Sequence, residues 1–226
     1  AVQEWGYQSK VELSDDQTLG VTNALIEPIS IITGLPGTGK TTSLRILVRV
    51  LQSSGVPFLL LAPTGIAAKR LGAVTGAKAY TIHRAFAAKG HTDDGRTSTY
   101  EGVVGESNAT IKSDGDEDWG FTPDNPHPAK FIVVDEASMV DQALLYRLLM
   151  CTSVTSRLLF VGDAAQLPSV GPGNVLRDLI TSDNFSMVHL TDIFRQEDTS
   201  DIVYAAHEVY ARSFLPAILE PLGLRI

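Results

Sequence analysis

One run of eight residues constrains this chain more than any other feature: Gly34-Leu35-Pro36-Gly37-Thr38-Gly39-Lys40-Thr41, set between a β-branched stretch and a helical pattern. It fits G-x-x-x-x-G-K-[ST]. Glycines let successive backbone N–H groups turn toward a polyphosphate without a Cβ in the way. The helix that opens near Lys40 points its positive end at the same place. Lys40 is positioned to reach β- and γ-phosphates, and the Thr41 hydroxyl to ligate Mg²⁺. The bland alternative is a Gly-rich turn with an incidental lysine, but the strand–turn–helix setting is the context that a phosphate cradle requires. The nucleotide-binding residues are therefore expected at Gly34, Leu35, Pro36, Gly37, Thr38, Gly39, Lys40, Thr41 and Thr42.

The surrounding pattern predicts the fold. Apolar runs at Ile29–Thr33, Pro57–Ala62, Phe131–Val134, Arg157–Val161 and Ser186–Leu190 alternate with helical patterns. The helical patterns include Lys40–Gln52, Gly65–Leu71 and residues 80–88. Fully apolar strands alternating with helices predict an α/β domain with a parallel sheet covered by helices on both faces. No internal repeat is present.

A second half of the site is expected at Phe131-Ile132-Val133-Val134-Asp135-Glu136. The strand delivers Asp135 to the sheet's carboxyl edge, where open α/β sheets bind ligands. Asp135 suits the Mg²⁺ shell and Glu136 suits the general base that polarises the attacking water. Taken alone, the pair also fits an acidic cap at a helix start. Gln166, in the turn after Leu158–Val161, fits a γ-phosphate contact or an ordinary turn glutamine. Arg195 in Ile193-Phe194-Arg195-Gln196 fits a γ-phosphate fork or a salt bridge with Glu197 or Asp192.

Charge and composition set the limits. The 226 residues suffice for one large domain. No apolar stretch approaches the roughly 20 residues that a membrane span needs, and the N-terminus has no signal-peptide pattern. Ala1 in place of Met suggests a fragment or a processed chain. The lone Cys151 excludes an intrachain disulfide framework, fits a reducing, cytoplasmic compartment, and reads as a buried, inert thiol at a helix end. The net charge of −8 argues at first against nucleic acid. Yet residues 89–128 hold nine acidic and three basic side chains and so contribute −6 of it. The rest is near neutral, which leaves room for a basic track. The acidic segment is expected to be a mobile or weakly structured insertion.

With these runs in view, the chain resembles the first motor domain of a superfamily 1 DNA helicase of the RecD-like (RecD/TraA) branch. The resemblance rests on Leu13-Ser14-Asp15-Asp16-Gln17, Gly34–Thr41, Ala62-Pro63-Thr64-Gly65-Ile66-Ala67-Ala68-Lys69-Arg70-Leu71 and Thr81-Ile82-His83-Arg84. It continues through Val134-Asp135-Glu136-Ala137-Ser138-Met139-Val140-Asp141, Val161–Gly173 and Phe194-Arg195-Gln196, spanning residues 13–212. It implies a RecA-like P-loop NTPase fold, ATP and Mg²⁺ as cofactors, and 5′→3′ movement on single-stranded DNA.

The resemblance also implies roles. Gln17 would read adenine, although Ser14-x-x-Gln17 is also a capping box. Gln166 and Arg195 would sense the γ-phosphate. Pro63, Thr64, His83, Gly173 and Asn174 would lie along DNA. For His83, a structural role beside Ile82 is the competing reading, and for Lys69 and Arg70 a solvated helix face. Nothing after residue 212 resembles the family's second motor domain. The expectation is thus a motor domain over 1–212 and the start of another region over 213–226, with the second lobe missing from this chain.

Overall fold

The computed structural model describes residues 13–87 and 119–192. A six-stranded sheet runs through them, formed by β1 (Ile29–Gly34), β2 (Phe58–Ala62), β3 (Ala79–Thr81), β4 (Phe131–Val134), β5 (Arg157–Gly162) and β6 (Ser186–Leu190). The order is β3-β2-β4-β5-β1-β6, and every pairing is parallel. The central strands are buried on both faces, which is why they read as unbroken apolar runs.

Helices cover both faces, as expected. One face carries α1 (Asp15–Ile26), α2 (Lys40–Ser53) and α3 (Gly65–Thr75). Their Val21, Leu44, Leu47, Val48 and Leu71 pack with Ile32, Leu60, Val133 and Leu159. The other carries α4 (Ile82–Phe86), a 3-10 turn at Ala137–Met139, α5 (Gln142–Cys151) and α6 (Val175–Thr181). Their Phe86, Leu148 and Leu176 pack with Ile31, Leu61, Ile132 and Phe160. The fold is a RecA-like P-loop α/β domain.

Local chemistry explains the helix starts. Ser14 caps α1 in a capping box: its Oγ accepts the Gln17 N–H, and Gln17 Oε1 accepts the Ser14 N–H. Thr64, Thr81 and Asp141 cap α3, α4 and α5 through their side-chain oxygens.

Two expectations need correction. The helix expected over 80–88 starts later, because Ala79–Thr81 is an edge strand on β2, and the helix runs Ile82–Phe86. Of the segment 89–128 read as mobile or weakly structured, residues 119–128 are ordered and packed. The Gly120 N–H donates to the Phe86 carbonyl at 2.7 Å, and Thr122 and Asn125 close a turn on each other. Phe121 and His127 then pack edge-on against buried Phe86, with ring centroids 6.2 and 5.7 Å away. The remainder of that segment lies outside the described residues. Cys151 is buried as expected, and burial pushes its thiol up to about 11. Its Sγ–H donates to the Phe121 carbonyl at 3.2 Å.

Candidate nucleotide and DNA site

Parallel strands bring all their carboxyl ends to one edge, and the cradle, Asp135 and Glu136 follow directly on such ends. The cradle leaves β1 at Gly34. A Cβ on Gly34 would lie 2.7 Å from Thr38 Oγ1 and 2.8 Å from the Leu190 carbonyl oxygen, so only glycine lets the loop fold this tightly onto β6. Thr38 holds the loop's waist, its hydroxyl donating to the Leu35 carbonyl at 2.8 Å. Gly39 then starts α2 from a left-handed conformation with φ 85°. It offers no side-chain cap, which leaves the first turn's N–H groups directed at whatever binds in the cradle.

Lys40 lies across this loop, with its ammonium donating to the carbonyls of Gly34 at 2.5 Å and Leu35 at 3.0 Å. Burial pushes its pKa down, while Asp163, Glu136 and Asp135 pull it up, in that order. The three acids therefore share one electrostatic neighbourhood with the cradle lysine.

Asp135 leaves β4 with its N–H on the Leu61 carbonyl at 2.9 Å. Desolvation, and then the neighbouring Glu136 charge, push its carboxyl up to about 6. Glu136 adopts φ 52° and ψ 42°, a left-handed conformation that costs a non-glycine residue roughly 1–2 kcal/mol. Strain of this kind collects at functional sites.

Asp163 was not singled out in the sequence. It is buried immediately after β5, and its Oδ1 accepts the Ala165 N–H at 2.9 Å. The available signal was its place: β5 pairs with β4, so an acid just past Gly162 falls beside the Asp135 end.

Gln17 is buried against the cradle. Its Nε2 donates to the carbonyls of Thr38 at 3.5 Å and Gly39 at 3.4 Å, while its Oε1 holds the Ser14 N–H. The amide thus ties the loop to the start of α1, with its Nε2 on the loop and its Oε1 on Ser14. Thr41 is exposed at the start of α2, and Thr42 donates its N–H to the Gly39 carbonyl. Gln166 lies in an exposed stretch after β5, one bond from Asp163 through its N–H. Arg195 lies outside the described residues.

The residues expected along DNA divide into two groups. Pro63 and Thr64 follow β2, and His83 follows β3 in the first turn of α4, so they neighbour each other across two paired strands. Gly173 and Asn174 start α6 instead, beyond β5. Asn174 makes no side-chain cap bond, so its amide is not spent on the helix.

A family model described as an AAA domain matches residues 12–212. The chain belongs to this AAA domain family. Among relatives of this AAA domain, the ATP-dependent RecD2 DNA helicase of Deinococcus radiodurans is 31% identical over 206 residues, covering 90% of this chain and 25% of the relative. The RecBCD enzyme subunit RecD of Haemophilus influenzae is 35% identical over 183 residues, covering 76% of this chain and 27% of the relative. RecD of Mycobacterium tuberculosis strain H37Rv is 36% identical over 186 residues, covering 76% and 29%. These relatives bear out the RecD-like resemblance carried by the motifs. The AAA domain spans between a quarter and three tenths of their length.

Two solved structures share the fold. One is of two coordinating Pif1 helicases at forked double-stranded DNA, with TM-score 0.52, 23% identity, and coverage of 84% of this chain and 46% of that one. The other is Pif1 helicase from Candida albicans, with TM-score 0.52, 19% identity, and coverage of 83% and 41%. Among the described residues of this AAA domain, no helix is long and apolar enough to cross a membrane.

Proposed function

We propose that this chain is the motor domain, over residues 1–212, of a 5′→3′ DNA helicase that binds and hydrolyses ATP with Mg²⁺ and acts on single-stranded DNA in the cytoplasm. In this reading a second motor domain completes the machine. The observation that carries this reading is the convergence of Lys40 with Asp135, Glu136 and Asp163 beside a glycine cradle at one sheet edge. The RecD2 DNA helicase relative supports the ATP and DNA parts, and the 5′→3′ direction is carried over from the RecD-like resemblance of the motifs.

Each residue then has a task. The cradle from Gly34 to Thr42 wraps the phosphates, and Lys40 exchanges its loop carbonyls for β- and γ-phosphate oxygens. Thr41 and Asp135 offer the hard oxygen donors that Mg²⁺ prefers. Among the described residues no cluster of three or more His, Cys, Asp or Glu side chains could hold an ion alone. Mg²⁺ takes one or two protein oxygens and completes its shell with phosphate and water. When bound, Mg²⁺ neutralises charge developing on the phosphates. Glu136 takes the proton of the attacking water. Gln166 and Arg195 sense the γ-phosphate, and Gln17 contributes to adenine selection while bracing the loop. Pro63, Thr64, His83, Gly173 and Asn174 follow the DNA backbone.

Lys40→Ala tests the site. It should abolish nucleotide binding or reduce turnover by on the order of 10²–10³-fold, read by nucleotide titration and steady-state ATPase with and without single-stranded DNA. Undiminished ATPase in that variant would sink the assignment. A second reading, an ATP-binding lobe that needs its partner lobe for turnover, is favoured by the small share of each relative that the chain spans. The same assay on the unaltered chain separates the two.

A further inference from the structure

The loop between β5 and α6 has no packing of its own. Residues 164–168 are all exposed, Leu167 at 87%. Gln166 sits in that stretch, so its position is set by whatever holds the two ends of the loop. Both ends rest on one segment, residues 136–142, which begins with Glu136.

The front end is held by close approach. A Cβ on Gly162 would lie 3.1 Å from the Ala137 amide nitrogen and 3.2 Å from that of Ser138. Asp163 follows, buried, and accepts the Ala165 N–H on its side chain and the Gln166 N–H on its carbonyl. The rear end is held on the start of α5. There the Gln142 N–H donates to the Pro172 carbonyl at 2.9 Å. The Ser169 hydroxyl donates to the carbonyls of Gly171 and Gly173, each at 3.0 Å, and keeps this end curled.

Gly171 is the tightest point. A Cβ there would run into the Asp141 carboxylate, 2.8 Å from its Cγ and 3.0 Å from its Cβ. The carboxylate is not free to swing aside, because its Oδ1 accepts the Leu144 N–H at 2.7 Å and caps α5. Gly173 has a left-handed φ of 94° but Gly171 does not, so at Gly171 space alone requires glycine. A connection that had only to reach α6 needs neither anchor. Pinning both ends to the segment that carries Glu136 gives the loop and that residue a single frame.

We propose that Asp141 and Gly171 are positioning residues: their close seat holds the loop of residues 163–170, and with it Gln166, in register with Glu136, so that the loop answers when nucleotide fills the cradle. The proposal rests on the ATP reading above. It gives Gly171 a task toward α5, and gives the helix cap Asp141 a second one.

Hydrogen exchange on the full chain, with and without Mg²⁺ and the non-hydrolysable analogue AMP-PNP, tests this without requiring turnover. Three variants are compared with the unaltered chain: Gly171→Ala, Asp141→Ser and the two together. Serine keeps a capping oxygen and removes the carboxylate that the new methyl would strike. In the unaltered chain the analogue should slow exchange both in residues 34–42 and in residues 163–170. In Gly171→Ala the slowing should persist in 34–42 and be lost in 163–170, and the double variant should recover it. Slowing in both segments of Gly171→Ala would overturn the seat while the nucleotide reading stands. A response confined to 34–42 in the unaltered chain, or no recovery in the double variant, has the same meaning. Faster exchange throughout Gly171→Ala, cradle included, would make Gly171 a packing position only and also overturn the proposal. If the unaltered chain shows no slowing in 34–42, the nucleotide reading fails and takes the proposal with it.

Discussion

Over β1, β4 and β5 the carboxyl edge is closed by backbone, whereas over β2 and β3 it is closed by side chains. In the first region a Cβ on Gly34 would come within 3 Å of Thr38 and Leu190. A Cβ on Gly162 would lie 2.8 Å from Leu176 Cδ2 and 3.1 Å from the Ala137 amide nitrogen. In the second, Gly65 and Gly76 have nothing within 4 Å of a built Cβ. There the helix starts are made by the Thr64 and Thr81 hydroxyls, and the surface by His83 and Trp119. Charge ties the two regions together: Asp135, Glu136 and Asp163 gather around Lys40, and Arg70 of α3 acts on both Asp135 and Lys40. A polyphosphate is gripped by close, pre-formed N–H groups, which no added side chain can improve. Where side chains close the edge, each can vary without deforming the frame.

Glu136→Gln asks most of that division. The exchange keeps size and backbone preference but removes the carboxylate proposed as the base. Turnover should fall by about 10²–10⁴-fold while nucleotide still binds, and DNA binding in the absence of nucleotide should stay as it was. Single-turnover hydrolysis and a DNA titration on the same preparation read both. Normal turnover would remove Glu136 as the base; a loss of DNA affinity would show that the two halves do not act separately at equilibrium.

The β2–β3 half stands on the cluster of Phe86, Phe121 and His127, and this support is predicted to be acid-sensitive. His127 is buried, its Nδ1 accepts the Ala129 N–H at 3.1 Å, and burial pushes its pKa down to about 4. Between the unfolded value of 6.5 and that folded value, the unfolded chain holds a proton that the folded chain refuses. Stability is therefore complete above the unfolded pKa and is lost as pH falls toward 4. At about 1.36 kcal/mol per unit, the loss amounts to roughly 3 kcal/mol. Urea unfolding at about pH 7 and about pH 4.5 should show it. His127→Gln should remove that part of the pH dependence, and an equal slope in the two proteins would mean that His127 is not held neutral.

How legible each half was follows from what holds it together. The cradle and its strands were readable because glycine spacing and apolar runs are local properties, and Ile29, Phe131 and Ser186 begin strands where the pattern begins. The edge strand Ala79–Thr81 was not, because three half-buried residues carry no run and owe their conformation to β2. Residues 119–128 were not, because aromatic contacts with Phe86 and single backbone bonds to Phe86 and Cys151 hold them, and neither leaves a period. Asp163 and the second end of Gln17 escaped for a related reason. Their partners, Lys40 and the Thr38 and Gly39 carbonyls, are far away in sequence and meet them only when strands pair. Arg195 was legible as a motif, but its placement lies outside the described residues.

The smallest expected effects probe the contrast most directly, because they change one atom group on each side. Gly162→Ala drives a methyl into Leu176 and the Ala137–Ser138 backbone, and backbone cannot step aside as a flexible side chain can. It should cost about 1–3 kcal/mol in denaturant unfolding. It should also weaken nucleotide binding, since the displaced 3-10 turn follows directly on Asp135 and Glu136. Gly65→Ala places the same methyl in open space in the first turn of α3. There it restricts only the unfolded chain and should stabilise by about 0.4–1 kcal/mol. The opposite signs are the point. If both substitutions destabilise equally, the β2 end is as closely packed as the cradle. The idea of a rigid phosphate grip beside an adaptable strand surface would then have to be abandoned.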